Sequence, residues 1–168
     1  MAMAGKDKAK PAKGKGDEEP ITIVARNRRA RFEYDLMESF EAGIALTGTE
    51  VKSLRTGKAS MEEAYAMVER DEVWLYGCDI PEYLQANRMN HKPKRPRKLL
   101  LHRKEIDRLD TKAGEKGLTI VPLKIFFKRG IAKVDIAVAK GRKLYDKREA
   151  LKKQDAKRDI DRAARGRD

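Results

Sequence analysis

The sequence predicts a mainly β protein, a small antiparallel barrel with helical additions and charged ends that lack a core. Three observations predict it. Apolar residues alternate with polar ones along several stretches, recognisable reversals join neighbouring stretches, and only two short segments carry helix-start and helix-stop chemistry. Closing such a sheet on itself is the economical way to leave no exposed strand edge.

The elements follow in chain order. Ile21 to Ala25 is a short β-branched run that opens the ordered region. Asn27 to Arg31 is a basic knot carrying Arg28, Arg29 and Arg31. From Tyr34 to Leu46 one alternating register holds Tyr34, Leu36, Phe40, Ala42, Ile44 and Leu46, and Glu38 breaks it. Leu36, Phe40 and Ile44 also fit helical spacing, but Gly43 counts against a long helix. The reading adopted is a long, bent strand, with Gly43 at a bend or bulge.

Thr47 and Glu50 then stand at capping-box spacing, with Thr49 as a competing cap and Gly57 as a stop. The short helix between them turns Val51 and Leu54 inward and sets Lys52 and Arg55 on an outward stripe. Glu63 to Ile80 reads as a hairpin reversing at Arg70 and Asp71, with Trp74, Tyr76, Cys78 and Ile80 alternating along its second arm. Pro81 ends it. A helix from about His102 to Ala113 turns Ile106 and Leu109 inward and stops at Gly114 and Gly117. Leu118 to Ala139 is a second hairpin. Leu123, Ile125 and Phe127 precede its reversal at Lys128, Arg129 and Gly130, and Ala132, Val134, Ile136 and Val138 follow it. Lys124 and Lys133 then point away from the apolar face. The tally is about six strands and two short helices.

The ends differ in kind. Residues 1–19 are rich in Lys, Ala and Gly, bury nothing and are expected to be disordered. Residues 20–141 form the barrel domain. Residues 142–168 are a charged tail with sparse apolar residues (Leu144, Leu151, Ile160, Ala163) and no stripe wide enough to dock on its own core. Glu149 with Lys153, and Asp161 with Arg165, stand at helical spacing, so the tail is expected to fray alone and to order as a helix on a matching surface.

Charge directs the choice of partner. The 168 residues carry a formal net charge of +13, which favours nucleic acid over an acidic small substrate. Between His91 and Lys104, seven of fourteen residues are Lys or Arg and none is acidic. Pro93 and Pro96 hold this segment extended, so a stiff loop is expected to present the cations to a phosphate backbone. No apolar run reaches the length of a membrane span, and the first residues lack the apolar stretch of a secretory signal. The single cysteine, Cys78, fits a reducing cytosol and reads as a small buried hydrophobe.

Tests for chemistry find little. Two histidines and one cysteine are too few for a typical structural zinc site. There is no Gly-x-Ser-x-Gly, and the stretch Thr56 to Ser60 lacks the glycine and hydroxyl that a phosphate loop needs. His91 and His102 read as phosphate or base contacts, or as helix-end residues. Glu33, Asp35, Glu38 and Glu41 crowd one region, but nothing points to the raised pKa of a catalytic pair. They read as strand-face acids balancing Arg28, Arg29 and Arg31. Glu41, opposite the Phe40 face, could also accept from base amino or 2′-hydroxyl groups.

Six stretches together resemble one family. They are Asn27 to Arg31, Phe40 to Ile44, Gly48 to Arg55, Arg97 to Arg103, Val121 to Lys124 and Ala139 to Arg148. The chain is similar over about Ile21 to Arg148 to small protein B, the SsrA-binding proteins of bacterial trans-translation. The resemblance implies an oligonucleotide-binding (OB-fold-like) barrel of about six strands and three helices. It implies binding to the tRNA-like domain of transfer-messenger RNA and delivery of that RNA to stalled ribosomes. Elongation factor Tu and alanyl-tRNA synthetase enter through the RNA. The tail is expected in the empty messenger channel of the small subunit, helical only there. The family implies a cytoplasmic monomer with no catalysis, no cofactor and no membrane partner.

For the RNA face the candidates are Glu41, Lys52, Arg55, Asn87, Asn90, His91, Lys92, Arg95, Arg97, Lys98 and Lys124. Lys and Arg would meet phosphates, Asn87, Asn90 and Glu41 would hydrogen-bond bases or sugars, and His91 would stack. A second set, Lys140, Gly141, Arg142, Lys143, Tyr145, Asp146, Lys147 and Arg148, corresponds to the element that faces the ribosomal decoding centre in the family. Tyr145 either stacks on a ribosomal base or caps the end of the core. Arg142 stands where the family commonly has lysine, which keeps the charge and changes the donor geometry. Two other classes compete. A structural ribosomal protein would look similar but would need no transfer-messenger RNA, and an RNA-modifying enzyme would need a nucleophile or metal that the sequence does not offer.

Overall fold

The computed structural model describes residues 20–86 and 89–165. Seven strands and four helices follow in the order β1 (Ile21–Arg26), α1 (Arg28–Glu33), β2 (Tyr34–Ile44), α2 (Gly48–Arg55), β3 (Tyr65–Glu69), β4 (Glu72–Tyr76), β5 (Arg97–Leu100), α3 (Arg103–Ala113), β6 (Leu118–Lys128), β7 (Ile131–Gly141) and α4 (Leu144–Arg165). Every strand pairing is antiparallel. The order β6-β3-β4-β5-β2-β7 returns to β6, so six strands close a ring, and β1 extends it along β6. The seams at β3–β6 and β2–β5 are narrow, being Ala66 opposite Ile120 and Gly43–Ile44 opposite Leu99–Leu100. The core inside the ring includes Leu54, Val73, Leu75, Ile80, Leu99, Leu109, Ile120, Ile125 and Ile136. A smaller cluster of Ala30, Val121 and Ala139 lies under α1.

Both hairpins reverse where the sequence places them. Arg70 and Asp71 take φ of 49° and 64°, and Arg129 and Gly130 take 53° and 74°. Two positive-φ residues in succession match the right-handed twist of the flanking strands. The long strand β2 is also as expected, bent by a register shift between Leu36 and Ser39.

Several details differ. Gly43 is not at that shift; a Cβ there would sit 3.2 Å from Cβ of Leu100, so the glycine admits β5. The alternation read through Trp74 and Tyr76 is out of phase. Val73 and Leu75 face inward, and Gly77, at φ 69°, shifts the register so that Cys78 and Ile80 do too. On β6 a shift between Pro122 and Lys124 turns Leu123 to the smaller cluster, while Ile125 and Phe127 keep the inward phase expected. The basic knot is a helix, α1, capped by Asn27. Asn27 Oδ1 accepts from Ala30 N–H at 3.0 Å while its Nδ2 donates to Met61 O and Pro122 O.

The tail, expected to fray alone, is here one helix, α4, and it approaches α1. Good helix formers and the i,i+3 pairs Asp155–Arg158 and Asp159–Arg162, each at 3.8 Å, favour that state. On it Leu151 and Ile160 remain exposed. The strand end beneath it is pinned, because Arg142 N–H donates to Glu33 O at 2.9 Å and Arg142 Nε to Asp35 Oδ1 at 2.6 Å. No helix among the described residues is long and apolar enough to cross a membrane.

Candidate nucleic-acid interface

The interface is organised by one buried carboxylate. Glu50 sits in the first turn of α2, where Thr47 N–H donates to its Oε2 at 2.8 Å as the capping box requires. Its side chain is fully buried and collects two guanidinium groups. Arg95 donates from Nε to Oε1 at 2.8 Å and from Nη2 to Oε2 at 2.5 Å, and Arg97 donates from Nε to Oε1 at 2.9 Å. Burial alone would push the Glu50 carboxyl up. The hydrogen bonds from Arg95 and Thr47, with the charges of Arg97 and Arg95, outweigh it and hold the carboxyl below its ordinary range.

Arg97 therefore does not meet phosphate in this structure. Its guanidinium is fully buried and also donates to Cys78 O at 2.6 Å, Arg95 O at 3.1 Å and Pro93 O at 2.8 Å. The cation expected outside is an internal strut of the loop, and the end of the expected stiff loop is strand β5. Outward alternation on β5 leaves Lys98 and Leu100 exposed or half-exposed.

His91 is likewise interior. Its Nε2–H donates to Ile80 O at 2.9 Å, the role a carbonyl partner demands, and its Nδ1 meets the Thr49 hydroxyl at 3.0 Å. A buried ring committed at both nitrogens is not a free stacking surface. Asn90 clasps Tyr83, accepting from its N–H at 3.1 Å and donating to its O at 3.0 Å, so both ends of its amide are in use. Asn87 lies outside the described residues. His102 caps α3, as a helix-end residue should.

The remaining candidates reach solvent. Lys52 and Arg55 stand exposed on α2, over the rings of Tyr83 at 5.8 Å and Phe127 at 5.9 Å. Lys92 is exposed on the loop. Lys98 pairs with Glu72 across the β4–β5 seam. On the outer face of β2, β7 and β6, Lys124 pairs with Asp135 at 3.0 Å and lies 4.9 Å over the Phe126 ring. Glu41 there holds Lys133 at 2.5 Å and Lys128 at 3.5 Å. The hydrogen bond from Lys133 chiefly holds the Glu41 carboxyl down against partial burial, with Lys128 adding to it. Sequence reasoning missed Lys128 as a site residue and read Glu50 only as the capping-box partner of Thr47; that cap position gives no hint of two distant arginines.

The acids near α1 and β2 are balanced, one of them by an arginine expected and the others by more distant cations. Arg29 holds Glu33 at 2.7 Å, Arg142 holds Asp35, and Lys112 with Arg108 holds Glu38. Cys78 is buried, and burial pushes its thiol up to about 11, the behaviour of an inert core residue. In the second candidate set, Lys140 and Gly141 end β7 and are both exposed, Lys143 is exposed, and Tyr145, Asp146, Lys147 and Arg148 fall in the first turns of α4.

Fold and surface define a class: a small cationic OB-like barrel whose helix α2, loop and outer strands set Lys and Arg out for a polyanion. The comparisons make it particular. A family profile described as "SmpB protein" matches residues 24–166. An SsrA-binding protein of Azorhizobium caulinodans is 56% identical over 157 residues, covering 93% of this chain and 98% of the relative. Another, from Pelotomaculum thermopropionicum, is 54% identical over 147 residues, covering 88% and 96%. A solved chain from work on tmRNA–SmpB at the centre of the bacterial ribosome is 48% identical with a TM-score of 0.63, covering 76% of this chain and 93% of that one. The chain belongs to the SmpB family.

Proposed function

We propose that the chain binds the tRNA-like domain of transfer-messenger RNA and carries that RNA to stalled ribosomes for trans-translation. The observation that carries the reading is similarity to SsrA-binding proteins over nearly the whole chain, joined to a barrel whose outward cations line α2, the loop and the outer strands. The RNA face is Lys52, Arg55, Lys92, Lys98 and Lys124, with Glu41 as an acceptor for base or sugar groups. Arg95, Arg97, His91 and Asn90 stand behind it and set the loop's shape, and Asn87 joins the face.

The chain divides at 19 and 141 into an extension, an RNA-binding barrel and a tail. Residues Lys140 to Arg148 face the decoding centre, with Tyr145 on a ribosomal base. The tail enters the empty messenger channel, where its helix is fixed. The protein acts as a monomer in the cytoplasm and performs no chemistry itself, which suits a buried Cys78 and a His91 committed at both nitrogens. Elongation factor Tu and alanyl-tRNA synthetase are met through the RNA.

Sequencing the RNA that co-purifies with the full chain from its own cells tests this. Transfer-messenger RNA should dominate the pool. Ribosomal RNA alone, in subunit proportion, would favour a structural ribosomal protein and overturn the proposal.

A further inference from the structure

One cleft of the molecule has an apolar floor and a cationic rim. It encloses about 450 Å³ between strand β1, the end of helix α2 and the reversal that joins β6 to β7. Pro20, Ile23, Leu54, Arg55, Phe127 and Arg129 are among its lining residues, and none of the residues lining it is acidic. Arg55 is exposed, lies 5.9 Å over the Phe127 ring and enters no ion pair among the described residues. The acids of neighbouring elements are committed elsewhere, Glu50 to Arg95 and Arg97, Glu41 to Lys133 and Lys128. Such a rim calls for an anion.

The nearest anions along the chain are its own. Ile21 pairs with Lys128, so the line of β1 carried back from Ile21 runs past Arg129 and Gly130. The residues next in that direction, before Pro20, are Asp17, Glu18 and Glu19. A residue before proline is biased to extended backbone, and three extended residues span about 10 Å. All three carboxylates are therefore within reach of the cleft, whatever the path of residues 1–16. The sequence before Pro20 is also sorted by sign: five lysines lie between Lys6 and Lys15, and three of the four acids stand together at 17–19. A purely basic arm for RNA would carry its cations up to the barrel, whereas this one interposes a block of anions.

We propose that Asp17, Glu18 and Glu19 dock at the mouth of this cleft, against Arg55 and Arg129, and compete there with RNA phosphate. The competition rests on the proposed function, which sets Arg55 in the RNA face; the docking does not. An exposed ion pair is weak on its own, but attachment beside the cleft keeps the effective concentration of these carboxylates high. A folded RNA that brings phosphates to Lys52, Arg55 and Lys124 together displaces them. A short single strand, with fewer simultaneous contacts, does so less well. The acidic block thus sharpens the preference for the tRNA fold over stray RNA.

Phe127 is one of four phenylalanines, so labelling with fluorophenylalanine gives the cleft a resolvable fluorine signal, assigned by Phe127→Tyr. In the full chain without RNA, Asp17→Asn with Glu18→Gln and Glu19→Gln should shift that signal, equally at every protein concentration. No shift, or one that grows with concentration as a second copy would make it, overturns the proposal. The triple variant should bind the tRNA-like domain several-fold more tightly at low salt, and a short single-stranded RNA by a larger factor. Adding Arg55→Ala should diminish the gain, and adding Lys52→Ala should leave it standing. A gain undiminished without Arg55 is general charge repulsion and overturns the proposal, as does no gain at all. A chain whose Phe127 signal shifts but which binds no transfer-messenger RNA keeps the docking and removes the proposed function instead.

Discussion

Arg97 and Glu50 form a fully buried ion pair, Nε to Oε1 at 2.9 Å, that joins strand β5 to the first turn of helix α2. Without Arg97, Arg95 still holds Glu50, but the buried pair is broken and the carbonyls of Cys78, Pro93 and Arg95 lose their donor; breaking a buried pair costs on the order of 3–5 kcal/mol. Arg97→Ala should therefore lower unfolding stability by about 3–5 kcal/mol in urea. Lys98→Ala beside it, half-exposed and paired with Glu72, should cost under about 1 kcal/mol. Equal costs for the two would show that Arg97 is not a strut.

The same pair sets a pH dependence. The folded Glu50 carboxyl lies below its ordinary value of 4.5, so its contribution to stability is complete above that value and is lost as pH falls through the lower, folded one. Urea midpoints measured downward from pH 5 should fall more steeply for the native chain than for Glu50→Gln, which starts less stable. Parallel acid limbs would mean that Glu50 does not titrate differently in the two states.

How much of this was legible follows from what each feature depends on. The reversals at Arg70 and Arg129 were readable because a two-residue turn is decided locally. The capping box of α2 was readable for the same reason. Arg97 was not, because Glu50 is 47 residues away and nothing in a run of cations says which one a distant carboxylate will draw inward. The inward phase of β4 was lost for a local cause, the shift at Gly77. Lys52, Arg55 and Lys124, which proved outward, lie on elements whose apolar side was clear, whereas Lys92 and Lys98 proved outward from a segment read only as a basic loop. Those that proved interior (His91, Asn90, Arg97) lie in or beside the long connection from Pro81 to Pro96, whose path no periodicity fixes.

Gly77 supplies a backbone test. At φ 69° a Cβ would come within 2.8 Å of Glu63 O, a backbone atom that cannot step aside without moving the start of β3. Gly77→Ala should cost roughly 1–3 kcal/mol, read from thermal or urea unfolding, and Gly57→Ala, with open space around it, should cost less.

The cationic face makes a prediction about salt. Taking one lysine away from a phosphate should reduce the slope of log affinity against log salt by about one. Lys52→Ala with Lys124→Ala should weaken binding to the tRNA-like domain and flatten that slope by about two, in filter binding across a salt series. Weaker binding at unchanged slope would mean that these lysines act on the fold or on bases and not on phosphate.

The tail separates carrying from delivery. Arg142 is tied to Glu33 and Asp35 of the barrel, whereas Leu151 and Ile160 of α4 are exposed and dock on nothing among the described residues. A helix so placed adds little to the barrel's stability or to its RNA face. Its net positive charge and open apolar residues suit a binding partner met later. Truncation after Arg148 should leave unfolding stability and affinity for transfer-messenger RNA near the full-length values, yet abolish peptide tagging on stalled ribosomes. Full tagging by the shortened chain would show that the tail has no part in delivery. A drop in RNA affinity would show instead that α4 belongs to the RNA face.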